Sequence, residues 1–183
     1  TPDFAVPSLK ALIENGYNVK AVFTQPDRPK GRGNKVQYSP VKECALSYNI
    51  PVFQPEKIRT EENAKILKDL KPDLMITCAF GQILSQENLD SAPLGCINVH
   101  GSLLPKYRGS SPIQWAVING ESETGITTMY TDIGVDCGDI IHQNTIKIGK
   151  NETAGELFDR LSELGAQTLI ETLKMLEENK LTR

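Results

Sequence analysis

Two polar side chains at the end of an apolar segment are the strongest candidates for chemistry in this sequence. Asn98 and His100 close the segment GCINVH over 95–100, whose composition predicts a β-strand. Because side chains alternate along a strand, Asn98 and His100 project from the same face. An amide donor beside a titratable imidazole is suited to stabilising a carbonyl oxygen that becomes negatively charged. Taken alone, a histidine at a strand end is more often structural, and we expect a structural role for the other histidine, His142.

A loop between two later predicted strands supplies carboxylates. Asp132 and Asp136 lie in TDIGVDCGD over 131–139. A carboxylate in such a loop can orient and charge an imidazole, or accept a proton from an attacking amine. Paired aspartates with glycine also occur in metal-binding loops, but the D-x-D-x-D-G spacing is absent. The four cysteines form no C-x-x-C pair, so the sequence predicts no metal site.

Several familiar motifs fail on inspection. Gly31 and Gly33 are followed by Val36 where the third glycine of the dinucleotide fingerprint belongs. No G-x-x-x-x-G-K-[ST] phosphate loop is present in the sequence. Ser102 lacks the G-x-S-x-G elbow, which argues against a serine hydrolase triad. In the next turn, Leu103 and Leu104 either form an apolar wall for a flat ligand or anchor the loop to the core.

Composition and charge define the class of protein. The chain has 183 residues, of which 39% are hydrophobic and 23% charged, which is typical of one globular domain. Its longest apolar run, over 115–118, has four residues, so no segment can cross a bilayer. Four scattered cysteines fit a reducing compartment. We expect a soluble, cytoplasmic monomer that does not bind membranes.

The positive charge is concentrated in one segment. Residues 28–42 contain five basic residues and no acidic one, whereas the rest of the chain carries 15 basic and 23 acidic residues. This asymmetry indicates a local contact with an anionic ligand, not a coat of nucleic acid. The alternative is a solvated surface loop. The five basic residues are Arg28, Lys30, Arg32, Lys35 and Lys42.

Helical and strand patterns alternate along the chain. This order predicts an α/β fold with an open, Rossmann-like, mostly parallel sheet, helices on both faces and antiparallel strands at the end. Helices are predicted to begin at Thr1, Ser39, Thr60, Ser111 and Thr153, and strands to cover 18–24, 50–53, 73–80, 95–100, 125–131 and 139–148. Residues 25–38 contain too many prolines and glycines for a regular element. In open α/β sheets, ligands bind beyond the carboxyl ends of the strands. Three loops of this sequence are predicted to lie there, namely AFGQIL, HGSLLPKYRG and TDIGVDCGD.

The segment CINVHGSLLPKYRGSSPIQWAVINGESETGITTMYTDIGVDCGDI over 96–140 resembles the signature region of the folate-dependent formyltransferases. The shared features are N-x-H, an SLLP-type loop and a downstream aspartate in G-x-D-x-G. Three other stretches are similar to the members that formylate initiator methionyl-tRNA, namely TPDFAVPSL, VFTQPDRPKGRGNK with SPVK, and AFGQIL. The resemblance covers essentially the whole chain, and the QPDRPKGRG loop favours this substrate over glycinamide ribonucleotide.

The resemblance implies a mechanism and a set of site residues. The amino group of methionyl-tRNA attacks the formyl carbon of 10-formyl-tetrahydrofolate. Asn98 and a protonated His100 then stabilise the oxyanion, and Asp136, or water relayed through it, accepts the proton. The folate is expected to contact Phe80, Gly81, Gln82, Ile83, Leu84, Ser102, Leu103, Leu104, Pro105, Asp132 and Val135. Phosphates near the tRNA acceptor end are expected to meet Arg28, Lys30, Arg32 and Lys35.

The same resemblance describes the domain organisation. Residues 1–183 correspond to the catalytic domain, whereas the first strand of the family and a C-terminal β-barrel that helps to hold tRNA are expected outside this sequence. Other possibilities within the enzyme class are transfer to glycinamide ribonucleotide or an amino-sugar nucleotide, and hydrolysis of formyl-tetrahydrofolate. Outside that class stand an α/β binding module without activity and a nucleic-acid-binding protein without chemistry.

Overall fold

The computed structural model describes residues 1–29, 31–33 and 35–178. Its helices are α1 (Val6–Glu14), α2 (Pro40–Ser47), α3 (Glu61–Leu70), α4 (Gln86–Leu89), α5 (Pro112–Ile118) and α6 (Ala154–Glu177). Its strands are β1 (Val22–Phe23), β2 (Arg28–Pro29), β3 (Val36–Gln37), β4 (Val52–Phe53), β5 (Met75–Cys78), β6 (Cys96–His100), β7 (Glu123–Tyr130) and β8 (Ile140–Lys147). A 3-10 turn over Asp3–Ala5 precedes α1.

The largest sheet has the strand order β5-β6-β7-β8. Strands β5 and β6 are parallel, whereas β7 runs antiparallel to both β6 and β8. Strands β1 and β4 form a separate parallel pair. The predicted α/β class is therefore confirmed, with antiparallel pairing that begins already between β6 and β7.

Helices cover both faces of the large sheet. Ile97 and Val99 of β6 pack in one hydrophobic cluster with side chains of α1 and α6. Cys96, which points to the opposite face, packs in another cluster with Leu67 of α3 and Leu89 of α4. Strand β6 is consequently buried on both sides, as its apolar composition predicts.

The long helix α6 is fixed at its beginning by a capping box. The hydroxyl of Thr153 accepts a hydrogen bond from the backbone N–H of Glu156 at 3.2 Å, and the Glu156 carboxylate accepts one from the Thr153 N–H at 2.9 Å. Both interactions satisfy N–H groups that the first turn leaves without a partner. The helix then buries Leu157, Leu161 and Leu169 completely against the sheet. Among the helices of the described ranges, none combines the length and apolar character needed to cross a bilayer.

A cavity separates the two parallel strand pairs. It has a volume of about 460 Å³ and is lined mainly by apolar side chains, including Leu9, Leu12, Val22 and Ile76. Strands β1 and β5 border it, and within the described residues no strand pairs with the edge of β5 that faces it. The cavity therefore lies where a strand between β1 and β5 would join the pairs into one sheet.

The basic segment contains a short hairpin, which corrects the prediction of no regular element over 25–38. Strands β2 and β3 pair antiparallel, with Arg28 opposite Gln37 and Pro29 opposite Val36. Each strand has only two residues, which is too short to leave an alternating pattern in the sequence. Proline is tolerated in a strand at a sheet edge, where its missing N–H costs no hydrogen bond.

Replacement of Leu161 by alanine tests the packing of α6 on the sheet. Because Leu161 is fully buried, Leu161→Ala is expected to lower the free energy of unfolding by about 2–5 kcal/mol through lost burial and a residual cavity. Urea denaturation followed by circular dichroism measures this loss. Glu163→Ala on the exposed face of the same helix is the control and should change stability by less than about 0.5 kcal/mol. Equal stability of the two variants would contradict this packing.

Candidate functional site

The carboxyl end of β6 brings the three predicted catalytic residues together. The Nδ2 of Asn98 lies 3.4 Å from Oδ1 of Asp136, and Nδ1 of His100 lies 3.6 Å from Oδ2 of the same carboxylate. Asp136 belongs to the loop between β7 and β8, 38 residues away from Asn98 along the chain. An amide, an imidazole and a carboxylate thus converge at one point beside the sheet.

The neighbouring strand orients the amide of Asn98. Thr77 of β5 is the parallel partner of Asn98, and its hydroxyl donates to Asn98 Oδ1 at 2.9 Å. Since this bond occupies the carbonyl side of the amide, the NH₂ side is directed toward Asp136. Asn98 is half-buried and lines an open cleft. One N–H of its amide therefore remains available for a ligand oxygen.

A backbone carbonyl determines the tautomer of His100. The side chain is 8% exposed, and its Nε2 lies 2.8 Å from the carbonyl oxygen of Tyr107. A carbonyl only accepts hydrogen bonds, so Nε2 carries a hydrogen. The Nδ1 atom faces the Asp136 carboxylate, and this contact is attractive when Nδ1 is also protonated. Both ring nitrogens of His100 thus face fixed partners in the protein, and the ring is held beside Asn98.

Asp136 also connects two loops of the site. Its Oδ2 accepts a hydrogen bond from the backbone N–H of Gly109 at 2.7 Å. Its backbone has φ +48°, a left-handed conformation that aspartate tolerates better than most residues other than glycine. Such conformations cost free energy, about 1–3 kcal/mol, and cluster at functional sites. The carboxylate is therefore held in place by both its own backbone and the facing loop.

The segment over 102–105 lies outside the lining of this cleft, and the expected folate contacts of Ser102, Leu103, Leu104 and Pro105 stay a prediction. The Ser102 hydroxyl is buried and donates to the carbonyl of Lys106 at 2.6 Å. The Leu104 N–H donates to the hydroxyl of Thr127 in β7, and the Leu104 side chain is buried. Of the two interpretations of the leucine pair, the structure supports anchoring to the core, which in turn supports the turn that carries the Tyr107 carbonyl.

The cleft beside the three residues has a volume of about 650 Å³. Besides Asn98, His100 and Asp136, its lining includes the predicted cofactor residues Phe80, Gly81, Gln82, Ile83, Leu84, Asp132 and Val135. Ile83 and Val135 are about half exposed, so the cleft offers apolar surface to a ligand. Within the described ranges no three histidine, cysteine or acidic side chains come close enough together to hold a metal ion.

The wall of the cleft over 80–84 is fixed from behind by glutamine side chains. Gln82 Nε2 donates to the carbonyl of Pro55 at 2.9 Å, and Gln82 Oε1 accepts from the N–H of Ile58 at 2.7 Å. Gln25 Nε2 donates to the carbonyl of Phe80 at 3.0 Å. At Gly81 the backbone has φ +81°, and a Cβ there would lie 3.2 Å from the Gln25 amide. Glycine at this position thus satisfies both the backbone conformation and the close approach of Gln25.

Thr77 and Tyr107 are site residues that the sequence did not reveal. Thr77 orients Asn98 because the pairing of β5 with β6 places the two residues side by side. Tyr107 orients His100 through its backbone carbonyl, which every residue type has and which the sequence therefore cannot reveal. The Tyr107 hydroxyl in turn donates to Glu121 at 2.7 Å, and this bond is the main reason why the pKa of Glu121 lies below its ordinary value. The loop that supports His100 is therefore fixed at both the backbone and the side chain of Tyr107.

The predicted tRNA-binding residues lie on and next to the hairpin. Arg28, Arg32 and Lys35 are exposed, and among the described residues no carboxylate forms an ion pair with them. Lys30 lies outside the described residues. The exposed cations thus form a positively charged surface on a body that is otherwise acidic.

Removal of the Asp136 carboxylate is expected to loosen the facing loop. In Asp136→Ala the Gly109 N–H loses a charge-assisted acceptor worth about 1.5–3 kcal/mol, so its hydrogen exchange should accelerate about 10-fold or more. Exchange measured by mass spectrometry on peptides covering 106–112 detects this change. Asp132→Ala is the control, because among the residues that the structure describes its carboxylate bonds only the N–H of Ile133 in its own loop. Equal exchange in wild type and Asp136→Ala would refute the connection.

Comparison with known proteins gives the family of this chain. Residues 1–173 match the family described as Formyl transferase. A methionyl-tRNA formyltransferase of Acetivibrio thermocellus is 57% identical over 183 residues, which are 100% of this chain and 59% of that protein. A methionyl-tRNA formyltransferase of Agathobacter rectalis is 58% identical over 178 residues, or 97% of this chain and 57% of that protein.

The chain thus spans less than three fifths of the length of these relatives. The crystal structure of phosphoribosylglycinamide formyltransferase from Bacillus halodurans shares the fold, with a TM-score of 0.78 at 22% identity, and the match covers 94% of this chain and 89% of that one. The fold, the extent of the family match and the identity to these relatives together show that the chain belongs to the formyl transferase family.

Proposed function

We propose that this chain is the catalytic domain of an enzyme that transfers the formyl group of 10-formyl-tetrahydrofolate to the amino group of initiator methionyl-tRNA. The observation that carries the proposal is the convergence of Asn98, His100 and Asp136 within 3.6 Å at an open cleft. Curated relatives with 57% and 58% identity bear the name methionyl-tRNA formyltransferase, which supports the choice of acceptor. The exposed cations of the hairpin support a polyanionic acceptor.

In this mechanism the three side chains divide the work. The amine nitrogen forms a bond to the formyl carbon, and negative charge develops on the formyl oxygen. Asn98 Nδ2 donates a hydrogen bond to this oxygen, whereas the His100 ring, whose two nitrogens face Tyr107 and Asp136, stabilises the charge through its position beside it. Fixed groups of this kind in a cleft need no reorganisation when the charge appears. Asp136 holds its carboxylate 3.6 Å from Nδ1 of the ring and accepts the proton that leaves the amine, directly or through water. When the charge collapses, the bond to the folate nitrogen breaks and that nitrogen takes up a proton.

The proposed folate site fits the chemistry of the cleft wall. The backbone N–H groups of Ile83 and Leu84 make no hydrogen bond to another described residue, so they can donate to the edge of a pteridine ring. The exposed side chains of Ile83 and Val135 provide apolar contact with the ring faces. Within this proposal the folate residues of the cleft wall are Phe80, Gly81, Gln82, Ile83, Leu84, Asp132 and Val135. Ser102, Leu103, Leu104 and Pro105 of the neighbouring turn remain predicted folate contacts.

The proposed domain organisation takes account of the longer relatives. We infer that residues 1–183 form a catalytic unit and that a further tRNA-binding region accompanies it in the full-length protein. The cavity between β1 and β5 supports an additional strand at this position, because parallel edges on both sides could pair with it.

The acceptor is identified by incubating the full-length protein with 10-formyl-tetrahydrofolate and charged initiator tRNA, with glycinamide ribonucleotide as competitor. Formylation of the ribonucleotide alone would overturn the proposal.

The oxyanion assignment is tested by truncating the two side chains that stabilise it. Asn98→Ala and His100→Ala are each expected to lower turnover by about 100-fold or more, since loss of one preorganised electrostatic group of this kind costs about 2.7–4 kcal/mol in the transition state. Folate affinity, measured by fluorescence titration, should change little because the wall over 80–84 is intact. The control is His142→Ala, since His142 pairs with Glu171 on the far side of β8 and should be dispensable for turnover. Near-normal turnover in either of the first two variants would contradict the assignment.

The role of the hairpin cations is tested by their effect on salt dependence. Arg32→Ala combined with Lys35→Ala is expected to raise the KM for methionyl-tRNA and to reduce the slope of log KM against log salt by about 0.7–0.9 per lost phosphate contact. The KM for folate should stay unchanged. A variant with the same loss of charge elsewhere, Lys65→Ala with Lys174→Ala, serves as the control. An unaltered slope in the hairpin variant would exclude phosphate contacts at these residues.

A further inference from the structure

Lys42 differs from the exposed cations of the basic segment. Its side chain is only 12% exposed, and its ammonium group has three partners inside the protein. The Nζ atom donates to Asp27 Oδ2 at 2.6 Å and to Gln54 Oε1 at 2.8 Å, and it lies 3.8 Å from the ring centre of Tyr38. Because these groups surround and neutralise the ammonium, Lys42 is not available to bind a phosphate.

The partners of Lys42 are the two ends of the hairpin. Asp27 immediately precedes β2, and Tyr38 immediately follows β3. A single ammonium group therefore contacts both the entry and the exit of the segment that carries the exposed cations. The hairpin itself has only two paired residues in each strand, and isolated hairpins are marginally stable at best. Its orientation must consequently come from contacts at its base.

The backbone around Lys42 makes this contact rigid. Ser39 caps α2 by accepting a hydrogen bond from the Lys42 N–H at 3.2 Å, and Pro40 occupies the first turn. Both features favour a well-defined helix start. The ammonium is thus presented from a fixed helix to the two chain segments that enter and leave the hairpin.

The base of the hairpin is also connected to the cleft wall. Gln54 Nε2 donates to Asp27 Oδ1 at 2.8 Å and to the carbonyl of Gln25 at 3.2 Å. The Gln25 side chain in turn donates to the carbonyl of Phe80. The hydrogen bonds from Lys42 and then from Gln54 hold the pKa of Asp27 below its ordinary value, so its carboxylate remains ionised near neutral pH. A continuous polar chain therefore runs from the hairpin to the segment that lines the cleft.

We propose that Lys42 is a positioning residue that holds the basic hairpin in the orientation that receives a phosphate-bearing acceptor, without touching that acceptor itself. The proposal rests on the proposed function and deepens it. We call the contacts of the Lys42 ammonium with Asp27 and Tyr38 the clamp. When the clamp is lost, the hairpin samples other orientations. The apparent affinity for the acceptor then falls in proportion to the fraction of molecules whose hairpin keeps the competent orientation. The bound state keeps the same phosphate contacts, so the salt dependence of binding is unchanged.

The test is Lys42→Met in the full-length protein. Methionine keeps an unbranched stem against Tyr38 but removes the charge and the three donors. We expect the KM for methionyl-tRNA to rise about 10-fold, which corresponds to a competent fraction near one tenth. The maximal turnover and the folate KM should remain within about twofold, and the slope of log KM against log salt should equal that of the wild type.

Two further variants separate a clamp from general damage to the fold. Lys42→Arg retains a cation that can pair with Asp27 and stack on Tyr38, so it should restore most of the acceptor affinity. Asp27→Asn should resemble Lys42→Met, and the double variant should be little worse than either single variant because both remove the same interaction. Failure of Lys42→Arg to recover affinity, or full additivity in the double variant, would overturn the clamp.

Other outcomes are equally decisive. An unchanged KM in Lys42→Met refutes the clamp, and a fall in the salt slope by about one phosphate contact would show that Lys42 binds the acceptor directly. If the wild-type protein formylates a different amine, the proposed function fails, and hydrogen exchange over 28–37 alone decides on the clamp. Faster exchange of this segment in Lys42→Met then supports it, whereas unchanged exchange overturns it.

Discussion

The carboxylate of Asp136 is the group on which the arrangement of the site depends. Its side chain is only 14% exposed, and a charge in that environment requires partners in the protein. It finds three partners, namely the Asn98 amide and the His100 ring on β6 and the Gly109 N–H in the loop that follows. Because one charge contacts all three, displacement of Asp136 would disturb both Asn98 and His100.

The sheet makes this convergence possible. Strand β6 lies between β5 and β7, so the side chain of Asn98 is steadied by Thr77 on one neighbour, while the loop after β7 carries Asp136 back over the strand end. Turn 102–105 is packed onto β7 and keeps the Tyr107 carbonyl against His100. Helix α6 buries the opposite face of the sheet, which gives these loops a rigid support. The ends of these strands thus carry the site residues, and the contacts between neighbouring strands fix the positions of those residues.

The sequence predicted those parts of the fold and site that depend on local rules. Alternation along β6 correctly predicted that Asn98 and His100 share a face, and the hydroxyl caps at Ser39, Thr60 and Thr153 start helices as expected. What it could not predict depends on contacts distant in the chain. The leucine pair at 103–104 allowed two interpretations, because an apolar residue in a loop packs equally well against a core or a ligand. Backbone partners such as the Tyr107 carbonyl are also invisible, since any residue type supplies a carbonyl.

The distribution of charge gives the polar chain from the hairpin to the cleft its significance. Outside residues 28–42 the chain has more acidic than basic residues, so a polyanion is repelled by most of the surface and attracted at one place. Under the proposed function, attraction alone would bring the acceptor nucleic acid to the hairpin without fixing the position of its reactive end. Lys42, Gln54 and Gln25 relate the hairpin to the Phe80 carbonyl by direct hydrogen bonds. Under the proposed function, these bonds set the distance between the captured acceptor and the formyl donor, so they convert a general electrostatic attraction into a defined reaction geometry.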